Sequence, residues 1–212
     1  MELINSLVQS YANKYTSAHD ALLEDIAKQT ESTHPHASMM SSRHQGKFLE
    51  IFSILLKPRR ILEIGTFTGF SALCLAKGLQ RDGTLHTIEL RAEDALTAKS
   101  NFNRSNYGQQ IILHTGNALE VIPQLNETWD LVFIDADKTG YLEYYNLILP
   151  MVRSGGALLA DNVLFHGEVL EEPVKGKNAK AITAFNEFVS NDRRVEQTLL
   201  TVRDGIMLIV KK

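Results

Sequence analysis

The sequence predicts an α/β fold: a mostly parallel seven-stranded sheet with a C-terminal antiparallel hairpin and N-terminal helices. Three observations carry this. From residue 60 onward, short apolar runs alternate with segments of helical periodicity, the pattern of right-handed βαβ units. The end of the chain, RRVEQTLLTVRDGIMLIVKK, reads as two strands around a turn at Asp204-Gly205. Before residue 58, apolar residues recur only at helical spacing.

The elements follow in order. Leu3, Ile4, Leu7, Val8 and Tyr11 give a first helical pattern, and Leu22, Leu23 and Ile26 a second. THPHASMMSS (33–42) reads as a loop, because Pro35 and the serines break the period. Phe48, Ile51, Phe52, Leu55 and Leu56 form an amphipathic helix that must end before Pro58. Strands are predicted at 59–65, 83–90, 109–116, 129–136 and 155–162, with helices near 69–80, 91–106, 117–125 and 139–152. Residues 163–177 form a long loop punctuated by Gly167, Pro173 and Gly176, and a helix follows near 179–190. No repeat or linker interrupts the chain. The expected organisation is one domain, 1–212, with a helical extension over about residues 1–57.

Composition narrows the function classes. Hydrophobic residues are 44% and charged residues 22%, the balance of a globular protein, and 212 residues suffice for a well-buried core. The net charge of -3 provides no field for nucleic acid or an anionic membrane. Cys74 stands alone and cannot form an intrachain disulfide. The first twenty residues lack the basic start and apolar run of a signal peptide, and no apolar run is long enough for a bilayer. A cytoplasmic protein is expected.

The loop ILEIGTFTGFS (61–71) follows a strand and opens a helix, with Gly65 and Gly69 four apart. Glycines there permit a tight turn and close approach to the backbone. Thr66-Phe67 stands where a dinucleotide fingerprint needs its middle glycine, so the loop is not built around a pyrophosphate. The next strand ends in Glu89, which is suited to a ribose diol. A nucleoside ligand without a pyrophosphate clamp points to S-adenosylmethionine.

The fourth strand ends in FIDADK (133–138) and the fifth in ADN (160–162). Adjacent parallel strands end at one crevice, so Asp135, Asp161 and Asn162 can converge. Two carboxylates and an amide oxygen suit a hard divalent cation, Mg²⁺ first, with Mn²⁺ and Ca²⁺ also compatible. Without a cation the carboxylates would crowd and repel. Lys138, beside that charge, is a candidate base. The bland readings are a helix cap for Asp137-Lys138 and a turn for Asp161-Asn162, and they weaken when both clusters fall at successive strand ends.

ILEIGTFTGFS, HTIEL, FIDADK and LLADNVLFHGEV together resemble the motifs of the cation-dependent O-methyltransferases, the catechol and caffeoyl-CoA type. The resemblance runs from about residue 39 to the final hairpin. It implies a Rossmann-like, S-adenosylmethionine-dependent methyltransferase fold. It implies metal ligands Asp135, Asp161 and Asn162, with Lys138 as catalytic base. Cofactor contacts would fall to Met39, Ser41, Glu63, Gly65, Thr66, Phe67, Ser71, Glu89, Ala118 and Asp137, with Met39 near the methyl sulfonium. Asp135 and His166 would face the substrate. SSRHQ (41–45) and His166 depart from the plant members, which carry an acidic pair and an Asn there, and these departures bear on the acceptor.

The expected reaction is methyl transfer to one hydroxyl of a vicinal-diol aromatic, with the cation holding both oxygens. A nicotinamide oxidoreductase is the nearest alternative. The missing middle glycine opposes it, and Tyr141, Tyr144 and Tyr145 have no lysine four residues on. A non-catalytic cofactor-binding module is opposed by the complete Asp135, Lys138, Asp161 and Asn162 set. His34 and His36 read as loop residues, Trp129 and Cys74 as core. Apolar faces on the N-terminal helices, with the resemblance, imply a homodimer.

Overall fold

The structure, a computed structural model, describes residues 3–212; Met1 and Glu2, the start of the expected helical extension, lie outside the described residues. Seven strands form one sheet: β1 (Arg60–Ile64), β2 (Thr84–Glu89), β3 (Ile111–Thr115), β4 (Trp129–Ile134), β5 (Val152–Asp161), β6 (Val195–Leu200) and β7 (Ile206–Lys211). Their order is β3-β2-β1-β4-β5-β7-β6. The first five are mutually parallel, and β7 runs antiparallel to both β5 and β6. Strand order reverses between β1 and β4, and in open parallel sheets the crevice beyond that point is where ligands bind.

β4 (LVFI) and the second half of β5 (ALLA) are apolar on successive residues because both faces are covered there. Leu62, Ile64, Val132, Ile134 and Leu158 point to one side and pack on α6 (Ala118–Val121), α7 (Tyr141–Ile148) and α8 (Lys177–Ser190). Ile61, Leu131, Phe133, Ala157 and Leu159 point to the other side. There they meet α2 (Ala21–Thr33), α3 (Arg43–Leu56), α4 (Phe70–Ala76) and α5 (Ala92–Asn103). Each fully buried Leu or Ile of this sandwich contributes about 1.5–3 kcal/mol. Trp129 and Cys74 are wholly buried, as core residues should be.

Several boundaries differ from the sequence reading. β5 starts at Val152, three residues early, because Gly155 (φ 71°) sits in an irregularity of the β4–β5 pairing and does not end the strand. Pro123 and Pro150 each turn the last part of a helix into a 3₁₀ turn, since proline has no N–H to give. The first helix, α1 (Ser6–Lys14), begins after Leu3 and Ile4 and buries none of its residues. Leu7, Val8, Tyr11 and Tyr15 are exposed there. The loop 163–177 contains a kinked 3₁₀ segment, Phe165–Leu170. No helix among the described residues is long and apolar enough to cross a membrane.

Candidate active site

A cavity of about 1570 Å³ opens beyond the C-terminal ends of β1 and β4. Single small-molecule pockets run to roughly 300–1,000 Å³, so there is room for two ligands side by side. One end is built by the loop after β1. Gly65 has φ 97°, and a Cβ there would lie 1.9 Å from the Asp135 carbonyl oxygen. The first glycine is thus required because the ends of β1 and β4 touch. Gly69 (φ 88°) abuts the Phe102 ring at the start of α4.

Glu89, nearly buried, organises this end. Its Oε2 accepts the Phe67 N–H at 2.7 Å and its Oε1 accepts the Arg91 N–H at 2.9 Å. The charged acceptor holds Phe67 at φ 50°, a left-handed conformation costly for a bulky residue. Behind the wall runs a chain of hydroxyls. Thr66 donates to Thr87 Oγ1 at 2.5 Å, and Thr87 donates to Glu63 Oε2 at 2.5 Å. Glu63 is wholly buried, and burial pushes its carboxyl up to about 8; the hydroxyls of Ser71 and Thr87 oppose the shift, while the charges of Asp135 and Glu89 add to it.

The other end holds the acidic set. Asp135 follows β4 directly, and Lys138 Nζ donates to its Oδ1 at 3.2 Å. The same ammonium donates to the Tyr141 hydroxyl at 2.7 Å and lies over that ring. Tyr141 is fully buried, with its hydroxyl 2.9 Å from the Asp161 carbonyl and 3.2 Å from that of Ile134. It thereby ties Lys138 to the ends of β4 and β5. Burial, then the charges of Asp135 and Asp161, keep the Tyr141 phenol protonated well above its ordinary range. Asp137 is occupied by Tyr144 and Thr139, whose hydroxyls it accepts.

Asp161 closes β5 and is 1% exposed. Its Oδ1 has no hydrogen-bond partner. Burial first, and the nearby charge of Asp135 second, raise its carboxyl above the usual range. The Gln45 amide beside it opposes this only in part. Asn162 adopts φ 57°, and its Nδ2 is tied to Asp204, which leaves its Oδ1 unengaged by the chain. Among the described residues, no three His, Cys, Asp or Glu side chains cluster as a metal cage. The chain would therefore offer a cation Asp135, Asp161 and the Asn162 amide oxygen, and leave its other positions to water or ligand oxygens. That donor set fits Mg²⁺, which retains several such oxygens, and an orphaned buried carboxylate oxygen is what a bound cation would satisfy.

Met39, Ser41, Gly65, Thr66, Phe67, Ser71, Glu89, Ala118, Asp135, Asp137, Lys138, Asn162 and His166 all line the cavity. Glu63 and Asp161 do not reach its wall and lie buried behind it. His166 is exposed at the rim, at φ 55°, with its ring against Phe165, and Lys177 also lines the cavity. His34 is more than a loop residue: its Nε2–H donates to Asp94 at 2.9 Å and its ring meets Phe67 edge-on. Sequence reasoning missed Tyr141, Asp204 and Arg203. Arg203 reaches from the β6–β7 loop to the Ser38 and Met40 carbonyls and to Gln45, pinning the strap that carries Met39.

Comparisons with known proteins identify the family and the fold. The profile of the O-methyltransferase family matches residues 13–212. A catechol O-methyltransferase of Niastella koreensis is 34% identical over 202 residues, covering 91% of this chain and 90% of that protein. Caffeoyl-CoA O-methyltransferase 2 of Zea mays is 32% identical over 208 residues, covering 91% and 78%. Among solved structures, the O-methyltransferase of Bacillus cereus in complex with SAH superposes with a TM-score of 0.89 at 32% identity, over 97% of both chains.

Proposed function

The chain belongs to the O-methyltransferase family, and on that premise we propose that it moves the methyl group of S-adenosylmethionine to one hydroxyl of a vicinal-diol aromatic, with a divalent cation, Mg²⁺ first, held by Asp135, Asp161 and Asn162. One observation carries the reading. Lys138 and Asp135 line a cavity with room for two ligands, and Asp161, whose carboxyl feels the charges of both, keeps a buried oxygen without a hydrogen-bond partner.

A divalent cation held by Asp135, Asp161 and Asn162 would supply Lewis acidity that favours the phenolate form of the acceptor. The residues of the chain do the rest. Glu89 receives the ribose hydroxyls while its two backbone bonds keep the carboxylate aimed at the cavity. Thr66, Ser71, Ala118, Asp137 and Glu63 complete the cofactor side, with Glu63 acting through Thr87 and Thr66. Met39 and Ser41 sit where the sulfonium end would meet the acceptor. Lys138, as the neutral amine and steadied by Tyr141, takes the proton of the hydroxyl to be methylated. Alignment of oxygen, carbon and sulfur is the main catalytic demand, worth on the order of 7 kcal/mol in favourable cases. His166 and Lys177 stand at the acceptor's outer end.

Relatives named for catechol and for caffeoyl-CoA support an aromatic diol acceptor. The exposed Leu7, Val8 and Tyr11 of α1, with Tyr15 just after it, support a homodimer, and the free, buried Cys74 is in keeping with a cytoplasmic protein. Asp161→Ala tests the ligand assignment. Metal-dependent turnover of a catechol should fall roughly 100-fold or more while SAH binding is retained. Turnover that persists without added metal would overturn it.

A further inference from the structure

We infer that Asp204, in the loop between β6 and β7, is the positioning residue that decides which end of the Asn162 amide faces the cation; this rests on the metal reading proposed above. An asparagine can serve a hard cation only through its oxygen, and nothing in its own shape prevents the amide from turning over. Here Asp204 removes that choice. Its Oδ2 accepts from Asn162 Nδ2 at 3.1 Å, and its Oδ1 accepts the His166 backbone N–H at 2.6 Å. A carboxylate has no proton to give, so only the nitrogen of Asn162 can face it. The amide oxygen is left turned away from Asp204.

The clamp is rigid and buried. Asp204 is 5% exposed, and both its oxygens are engaged, so it is not itself a spare ligand. Its backbone carbonyl accepts from Leu164 N at 2.9 Å, and that of Gly205 accepts from Val163 N at 3.2 Å. A Cβ at Gly205 would strike Leu164 at 2.6 Å, so the loop lies directly on the 162–166 segment. Asn162 and His166 both have positive φ, conformations that need such external support. One carboxylate from a hairpin 42 residues away therefore sets the Asn162 amide and anchors the backbone that presents His166. Groups that orient a metal's ligands typically matter 10–100-fold in metal affinity.

The test uses Mn²⁺ alone as probe, titrated into the full chain and followed by electron paramagnetic resonance, with SAH affinity and thermal midpoint measured in parallel. Asp204→Asn is isosteric. Its oxygen is claimed by the His166 N–H, which leaves an NH₂ facing Asn162 and turns that amide over. Mn²⁺ affinity should fall about tenfold or more, with SAH affinity unchanged. The double substitution Asn162→Asp with Asp204→Asn restores one donor and one acceptor. It should recover Mn²⁺ affinity to within about threefold of the original chain or beyond it. Asn162→Asp alone carries the same added ligand charge but sets two carboxylates face to face, so it should bind Mn²⁺ less tightly than the double variant, whereas a general loosening of the fold would show as a lower thermal midpoint and weaker SAH affinity. If the unsubstituted chain binds Mn²⁺ and Asp204→Asn binds it equally well, or the double variant binds no better than the single one, the inference is overturned. If the unsubstituted chain binds no Mn²⁺, the metal reading itself falls and this inference with it.

Discussion

Glu63→Gln should stabilise the protein, and increasingly so as pH rises. Glu63 is 0% exposed on β1, between the glycine loop and the Thr87 hydroxyl. Its carboxyl is held at about 8 against an ordinary 4.5, chiefly by burial. At roughly 1.4 kcal/mol per tenfold change in acidity, the ionised form is disfavoured in the fold by at most about 5 kcal/mol. The sign follows from proton counting. Between about pH 4.5 and 8 the folded chain keeps this proton and the unfolded chain has lost it, so unfolding releases a proton. Stability is then fully present below the unfolded value and is lost as pH rises through that window. Glutamine keeps an oxygen for Thr87 and carries no proton to lose. Urea unfolding followed by the single, fully buried Trp129 reads both proteins. Between about pH 5.5 and pH 7.5 the advantage of the variant should grow by about 2–3 kcal/mol. An advantage that does not change with pH would mean that Glu63 is ionised in the fold, and the neutral, buried acid beneath the cofactor end would be refuted.

Two substitutions separate binding from chemistry. Glu89→Gln removes the charge that accepts the Phe67 and Arg91 amides, and SAH affinity measured by calorimetry should drop about 10- to 100-fold; unchanged affinity would remove Glu89 from the cofactor site. Lys138→Met should lower kcat by about 10²- to 10⁴-fold with SAH and Mn²⁺ affinities nearly unchanged, as expected for a base; a loss of metal affinity alone would reassign Lys138 to holding Asp135.

The central sheet was legible because the strands are covered on both faces, so their apolar runs are continuous and their ends abrupt. The same abruptness exposed Glu89, Asp135 and Asp161, polar residues placed where strands stop. That Asp135 and Asp161 adjoin followed from two consecutive parallel strands being neighbours, which the β4–β5 register bears out. The supports of the site were not legible. Asp204 looked like a turn residue because its partner is Asn162, and β7 inserts between β5 and β6 to bring them together. Tyr141 drew notice only as a tyrosine with no lysine four residues on, since its hydrogen bonds to Lys138 and the Asp161 carbonyl depend on where β5 ends. Glu63 read as a cofactor contact. The strand alternation that buries Ile61 buries it too, behind Thr66 and Thr87. The double glycine at 155–156 imitated a strand start, and only the pairing with Trp129 reveals the earlier one at Val152.

The most direct measurement is methyl transfer from S-adenosylmethionine to a simple catechol such as 3,4-dihydroxybenzoate or caffeate, first with Mg²⁺ and then with excess EDTA. Product with Mg²⁺, lost with EDTA and restored when Mg²⁺ is returned in excess, is the expected result. Product formed equally well in EDTA would contradict the roles given to Asp135, Asp161 and Asn162.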